Sequence, residues 1–252
     1  GGVLGYTPHW LVNGIVVKAT RATIYDLAER PDIDRIEPDL VPELIRPVQE
    51  SVATETRGIG ITPGVANIGA RRVWNELGIR GEGTIVGILD TGVDGDHPAL
   101  ADRWQGLYAP PEEAWLDVIG SPSTFPSDGG THGTHVMGTI TGLAPDDTIG
   151  VAPGARWIAS NVIDQFAGSE FDNDVLAALA FMADPDGDPG TVDDVPDVIQ
   201  NSWGINENFS SDPPYVDCDS RWWDAIDAVE AAGCVVTWSA GNEGPGSQSL
   251  RS

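Results

Sequence analysis

The sequence predicts an α/β fold: a doubly wound, mainly parallel sheet with helices on both faces, preceded by a partial small α+β unit. Three observations carry this. Residues 84–90, TIVGILD, form a nearly continuous apolar run of the kind buried on both faces of a parallel sheet. Residues 156–162, 197–201 and 234–240 are further segments of strand length and character. Segments with helical signals fall between them, and such alternation is the mark of a doubly wound sheet.

In chain order, residues 9–19, HWLVNGIVVKA, are rich in valine and isoleucine and read as a strand. Residues 20–30 read as a helix with Ile24, Leu27 and Ala28 on one face. Pro31 and Asp32 end it, and 33–38 read as a short closing strand. Residues 39–63 lack clear periodicity and read as a linker. The chain therefore divides into a small unit over 1–39, a linker or maturation region over 40–66, and a main domain over 67–252. Within the main domain, helices are expected at His132–Thr141, Phe171–Ala183 and 220–232. A Ser169…Asp172 capping box opens the second, and Gly233 closes the third. Ligands of such sheets bind beyond the carboxyl ends of the strands, which is where a site is expected.

Composition narrows the function classes. The 252 residues hold 39 Asp and Glu against 13 Lys and Arg, a net charge of −26. Such a surface repels phosphate backbones and anionic membranes, which argues against nucleic-acid and membrane partners. No apolar run reaches the roughly 20 residues of a membrane span. The sequence opens at Gly1 without methionine, so the natural N-terminus and any secretion signal are expected upstream. Cys218 and Cys234 flank the third helix, and roughly 18 Å of helix between them leaves both expected as unpaired.

Three places could carry chemistry. Asp90 ends the 84–90 strand and precedes Thr91–Gly92, where a buried carboxylate needs a partner. It fits either a carboxylate that orients a catalytic base or a cap of its own turn. The Asp-Thr-Gly signature of aspartic proteases would need two such carboxylates on an all-β scaffold, and the sequence holds one copy. His132 and His135 have i,i+3 spacing and can share one helix face. Zinc would want a third ligand and a nearby acid, whereas Gly133 and Thr134 stand between them. At a helix start and followed by glycine, His132 suits a general base that a carboxylate such as Asp90 orients. His135, one turn deeper, reads as a packed structural histidine. Residues 235–246, VVTWSAGNEGPG, put Asn242 at a glycine-lined strand end. Its amide either donates to a developing oxyanion or merely shapes a turn.

LDTGVDGDHP, THGTHVMGT, GVAPGA at 150–155, NSWG at 201–204 and SAGNEGPG occur in that order. Together they resemble the motifs of the subtilisin-like serine proteases, the subtilases, over roughly residues 67–246. The resemblance implies a catalytic aspartate at Asp90, a general base at His132 and an oxyanion-hole asparagine at Asn242. It also implies that Ser202, Trp203 and Gly204 bind the substrate backbone, with Ser239, Ala240 and Gly241 as the opposite wall of the S1 pocket. Trp203 and Trp238 hint at an apolar rim. Residues 9–39 are similar to the second half of the family's prosegment, which implies an intramolecular inhibitor and folding aid. The lead-in ARRVWNELGIRGEGTIVGILDTG is most similar to the bacillopeptidase F branch.

The family's Gly-Thr-Ser nucleophile block is expected beyond Ser252, because Ser247 and Ser249 have no following helix to hold them. The implied function is an extracellular serine endopeptidase acting on proteins or peptides, with residues 1–252 inactive by themselves. The alternative is a catalytically dead binding or adhesion module on the same fold, stabilised by calcium. Asp184, Asp186 and Asp188 alternate as calcium ligands do, and Asp193 and Asp194 could complete a cage. No Glu stands at the twelfth position and Pro185 and Pro189 interrupt the loop, so a solvated acidic turn is expected, with structural calcium as the alternative and no cofactor for the chemistry.

Overall fold

In the computed structural model the chain is described over residues 2–39, 43–44 (backbone only), 60–120, 122–163, 170–204, 219–242 and 244–246. At the centre lies a parallel sheet in the order Val235–Trp238, Val198–Asn201, Ile85–Leu89, Arg156–Ser160, Trp115–Leu116. Ile85–Leu89 occupies the middle position and is buried at every residue, as a strand covered on both faces must be. His132–Thr141 and Phe171–Ala183 are helices with the expected limits, while the third helix is shorter, Trp223–Ala231. Met137, Val175, Leu179, Met182 and Val229 from these helices close the core with no measurable exposure.

The small unit differs from expectation. Residues 9–19 are not one strand. Val3–His9 and Gly14–Ala19 pair antiparallel, joined by a single 3-10 turn at Trp10–Val12 and by Asn13 in the left-handed region at φ 48°. Asn-Gly at 13–14 is a turn signal, because both residues tolerate that conformation. The helix Arg21–Ala28 follows, with Thr20 Oγ1 accepting from the Thr23 N–H. Residues 33–38 form no strand.

This unit docks on the starts of two helices of the main domain. The buried His9 has Nε2 3.1 Å from Asn173 Oδ1. Arg221 donates to the Pro38 carbonyl at 2.7 Å, and the Asp172 N–H donates to Asp39 Oδ1 at 2.9 Å. Ser169 lies outside the described residues, and Glu170 takes the N-cap position with no side-chain bond to the helix. The Asp172 carboxylate turns instead to Arg221 at 2.8 Å and to the indole N–H of Trp222 at 3.0 Å. Arg221 is held between Asp172 and Asp219, an ion triad shielded from water.

Asp174, in the same first turn, is paired with no such cation among the described residues. Burial raises its pKa to about 6, with the charges of Glu170 and Asp39 adding to the effect against a bond from Asn173. A carboxyl that ionises near pH 6 when folded and near 4 when unfolded destabilises the fold increasingly as pH rises between those values. Asp174→Asn is therefore expected to stabilise the protein at pH 8 and to be neutral near pH 3. Solvent screening reduces the gain to on the order of 1 kcal/mol, a Tm rise of about 2–4 °C by calorimetry.

Cys234 is a free, buried thiol just before the outermost sheet strand, and burial pushes its pKa up to about 12, helped by the charge of Asp197. Its expected lack of a partner agrees with this, while Cys218 lies outside the described residues. Among the described residues no helix is long and apolar enough to cross a membrane.

Candidate active site

Asp90 follows the central strand directly and has no exposed surface. Its Oδ1 accepts the Thr91 N–H at 2.7 Å and lies 2.7 Å from His132 Nδ1. His132 is the first residue of its helix, with the ring about one-fifth exposed. A carboxylate only accepts, so the shared proton sits on Nδ1, and Nε2 is the acceptor nitrogen of the neutral ring.

The close approach of strand end and helix depends on two glycines. A Cβ on Gly133 would fall 2.0 Å from the Gly92 carbonyl oxygen, and one on Gly92 would fall 2.1 Å from that of Ser127. Gly92 also has φ 103°, which side-chain-bearing residues rarely adopt. Asp128, which belongs to none of the sequence motifs above, fastens this junction. Its Oδ1 accepts from Thr91 Oγ1 at 2.7 Å, from the Gly130 N–H at 2.8 Å and from the Thr131 N–H at 2.9 Å. Its Oδ2 accepts from the N–H and hydroxyl of Thr134 at 2.9 and 2.5 Å. Burial alone would raise its pKa, but the bonds from Thr134, Thr91 and Thr131 outweigh burial and hold the carboxyl below its usual range. An Asp shortly before a helix start is a capping signal, so this residue was open to discovery from sequence.

The other residues that the motifs single out lie at the same carboxyl edge. Ser202 follows the strand next to the central one, and Ser239–Asn242 follow the strand beyond that. At about 4.8 Å per strand, the Asn242 loop leaves the sheet roughly 10 Å from the Asp90 position. The Ser239 N–H is bonded to the Asn201 carbonyl at 2.9 Å, and Gly241 turns the chain at φ 86°. Ala240 and Asn242 are exposed. Ser202 Oγ accepts from the Gln200 amide at 3.1 Å.

The Subtilase family profile matches residues 81–252. The chain belongs to the subtilase family, the subtilisin-like serine proteases. Bacillopeptidase F of Bacillus subtilis (strain 168) is 34% identical over 262 residues, covering 95% of this chain and 17% of that protein. An intracellular serine protease of Paenibacillus polymyxa is 32% identical over 187 residues, or 74% of the chain and 49% of the relative. An alkaline protease of Alkalihalobacillus alcalophilus is 28% identical over 218 residues, or 86% of the chain and 48% of the relative. The chain thus spans less than half the length of each of these relatives.

Two expectations about this subtilase need correction. Trp203 is 1% exposed and cannot form a rim. Its indole N–H donates to the Leu89 carbonyl at 2.9 Å, and its ring meets Phe171, Trp222 and Trp238 edge-on at 5.4–5.9 Å. Only its main chain is presented, and there Trp203–Gly204 pairs antiparallel with Glu43–Leu44. His135 is exposed rather than packed, because it stands two positions after Gly133 and two before Met137, on the side of the helix opposite the buried stripe of Gly133, Met137 and Thr141.

In the acidic loop, Asp184, Asp186 and Asp194 bring carboxylate oxygens within 4.8 Å of one another. Asp188 and Asp193 do not join them. The loop's own groups bond much of this carboxylate surface: Asp186 accepts from the Asp188 N–H at 2.7 Å and the Thr191 hydroxyl at 2.8 Å, and Asp194 from the Asp186 N–H at 2.9 Å.

Proposed function

We propose that this chain supplies most of the catalytic domain of a serine endopeptidase and, ahead of it, part of that enzyme's own inhibitor. The observation that carries the reading is the 2.7 Å Asp90–His132 contact at the carboxyl edge of a subtilase sheet. In this reading the attacking serine lies beyond residue 252; Ser247 and Ser249 lie outside the described residues. His132 Nε2 takes the serine proton as the hydroxyl attacks the peptide carbonyl, and the buried Asp90 carboxylate stabilises the resulting imidazolium. The Asn242 amide donates to the tetrahedral oxyanion. His132 then returns the proton to the leaving amine, and water releases the acyl group by the same steps. No cofactor is needed.

Substrate would add as a strand beside Trp203–Gly204, where main-chain bonds give affinity with little dependence on side chains. Glu43–Leu44 occupies that edge here, which supports an inhibitory role for the region before the main domain. Docking through His9, Pro38 and Asp39 supports the same role. Export from the cell is part of the proposal, and a relative named as a minor extracellular protease supports it.

The test is Asn242→Leu in the full-length protein. An amide that serves the oxyanion acts in the transition state, so kcat should fall by about 10²–10³, the magnitude known from subtilisin itself, with KM nearly constant. The fold should survive the change, read by circular dichroism and the thermal melt. Residues 1–252 alone are the inactive control, without fluorophosphonate labelling. A KM effect alone would make the loop a structural turn, and a full-length protein that binds peptides without cleaving them would favour the binding module.

A further inference from the structure

We propose that Asp128 is a positioning residue for the Asp90–His132 pair, acting through the Thr91 hydroxyl. The inference rests on the catalytic reading above and adds a part to it. An ordinary helix cap satisfies one or two N–H groups of its own helix. Asp128 does more, since it joins two separate elements. On the helix side it bonds the N–H of Thr131, immediately before His132, and both donors of Thr134. On the sheet side it takes the hydroxyl of Thr91, the residue immediately after Asp90. That hydroxyl in turn accepts the Gly133 N–H at 3.0 Å, immediately after His132. Both chain neighbours of His132 and the following neighbour of Asp90 are thus tied to one carboxylate and its Thr91 partner.

The local backbone needs such a tie. Thr131 has φ 122°, a conformation that a β-branched residue does not hold without support, and its N–H is one of the three donors on Asp128 Oδ1. With all five donors pointing inward, the carboxylate accepts throughout and gives nothing, so an amide of the same shape cannot replace it. Released, the helix start would be free to shift relative to the strand end. A misplacement of about 1 Å is enough to cost a reaction about 10² in rate.

The experiment uses the full-length protein with four variants: Asp128→Asn, Thr91→Val, the two combined, and Thr91→Ser. Active sites are titrated so that kcat refers to folded molecules. The low-field proton resonance of His132 Nδ1–H is recorded for each. Asp128→Asn and Thr91→Val should each lower kcat by about 10–100-fold, leave KM within about twofold, and broaden or shift the resonance. The double variant should lose no more than the worse single one, because both cut one linkage. Thr91→Ser, which keeps the hydroxyl, should restore most of the loss. Variants that lower only the melting temperature, with kcat per titrated site and the resonance unchanged, would reduce Asp128 to a helix cap and overturn the proposal. Wild type and His132→Ala are run beside them. If wild type fails to hydrolyse peptides, the protease reading falls, while the resonance still decides whether Asp128 sets the pair.

Discussion

His132→Ala should abolish peptide hydrolysis by the full-length protein, lowering kcat by about 10⁶, a magnitude taken over from subtilisin itself. In the proposed mechanism this ring moves the proton at the carboxyl edge of the sheet, and Asp90 cannot replace it because its carboxylate has no exposed surface. The cost to folding is smaller. Removing the imidazole takes away one of the Asp90 partners and leaves a buried carboxylate short of a hydrogen bond, on the order of 1–3 kcal/mol. The melting temperature should therefore drop by several degrees, with the fold retained by circular dichroism. A variant that stays within tenfold of wild type after active-site titration would remove His132 from the mechanism. Unfolding at 25 °C would show that the contact is mainly structural.

The second large effect concerns stability. Trp203→Ala should cost about 3–5 kcal/mol in urea unfolding. The deletion removes the ring that Phe171, Trp222 and Trp238 pack against and strands the Leu89 carbonyl inside the core. That is much of the 5–15 kcal/mol by which domains are usually stable. Trp203→Phe, which keeps a ring and loses the N–H donor, should cost about 1–2 kcal/mol and leave the preference among peptide substrates unchanged. A changed substrate preference with unchanged stability would return the indole to the substrate cleft.

The contrast between these residues explains what was legible in the sequence. The central strand announces itself because burial on both faces demands an unbroken apolar run, and TIVGILD is one. Asp90 and His132 were legible because a carboxylate at a strand end and an imidazole at a helix start each need a reason to be there. The two-residue strand Trp115–Leu116 is too short to have a period. The hairpin turn around Asn13 was hidden by apolar residues on both sides of it, which read together as one strand. The burial of Trp203 is not legible in its motif, because a motif fixes where the main chain runs, whereas the side chain's surroundings come from helices far away in sequence. The exposure of His135 is not legible for the opposite reason: its helix is known, but the direction of the buried stripe is not.

The buried thiol of Cys234 has a use as a clock. With a pKa of about 12, on the order of one molecule in 10⁴ carries the reactive thiolate at pH 8, and that sulfur has almost no contact with solvent. Alkylation in the folded state is slow on both counts, so the modification that does accumulate records the moments when the Trp223–Ala231 helix lifts from the outermost strand. Incubation with iodoacetamide, followed by mass analysis of the peptide containing residue 234, would report those openings without an engineered probe. The same measurement made with and without residues 2–39 would show how far the docked hairpin and helix slow them.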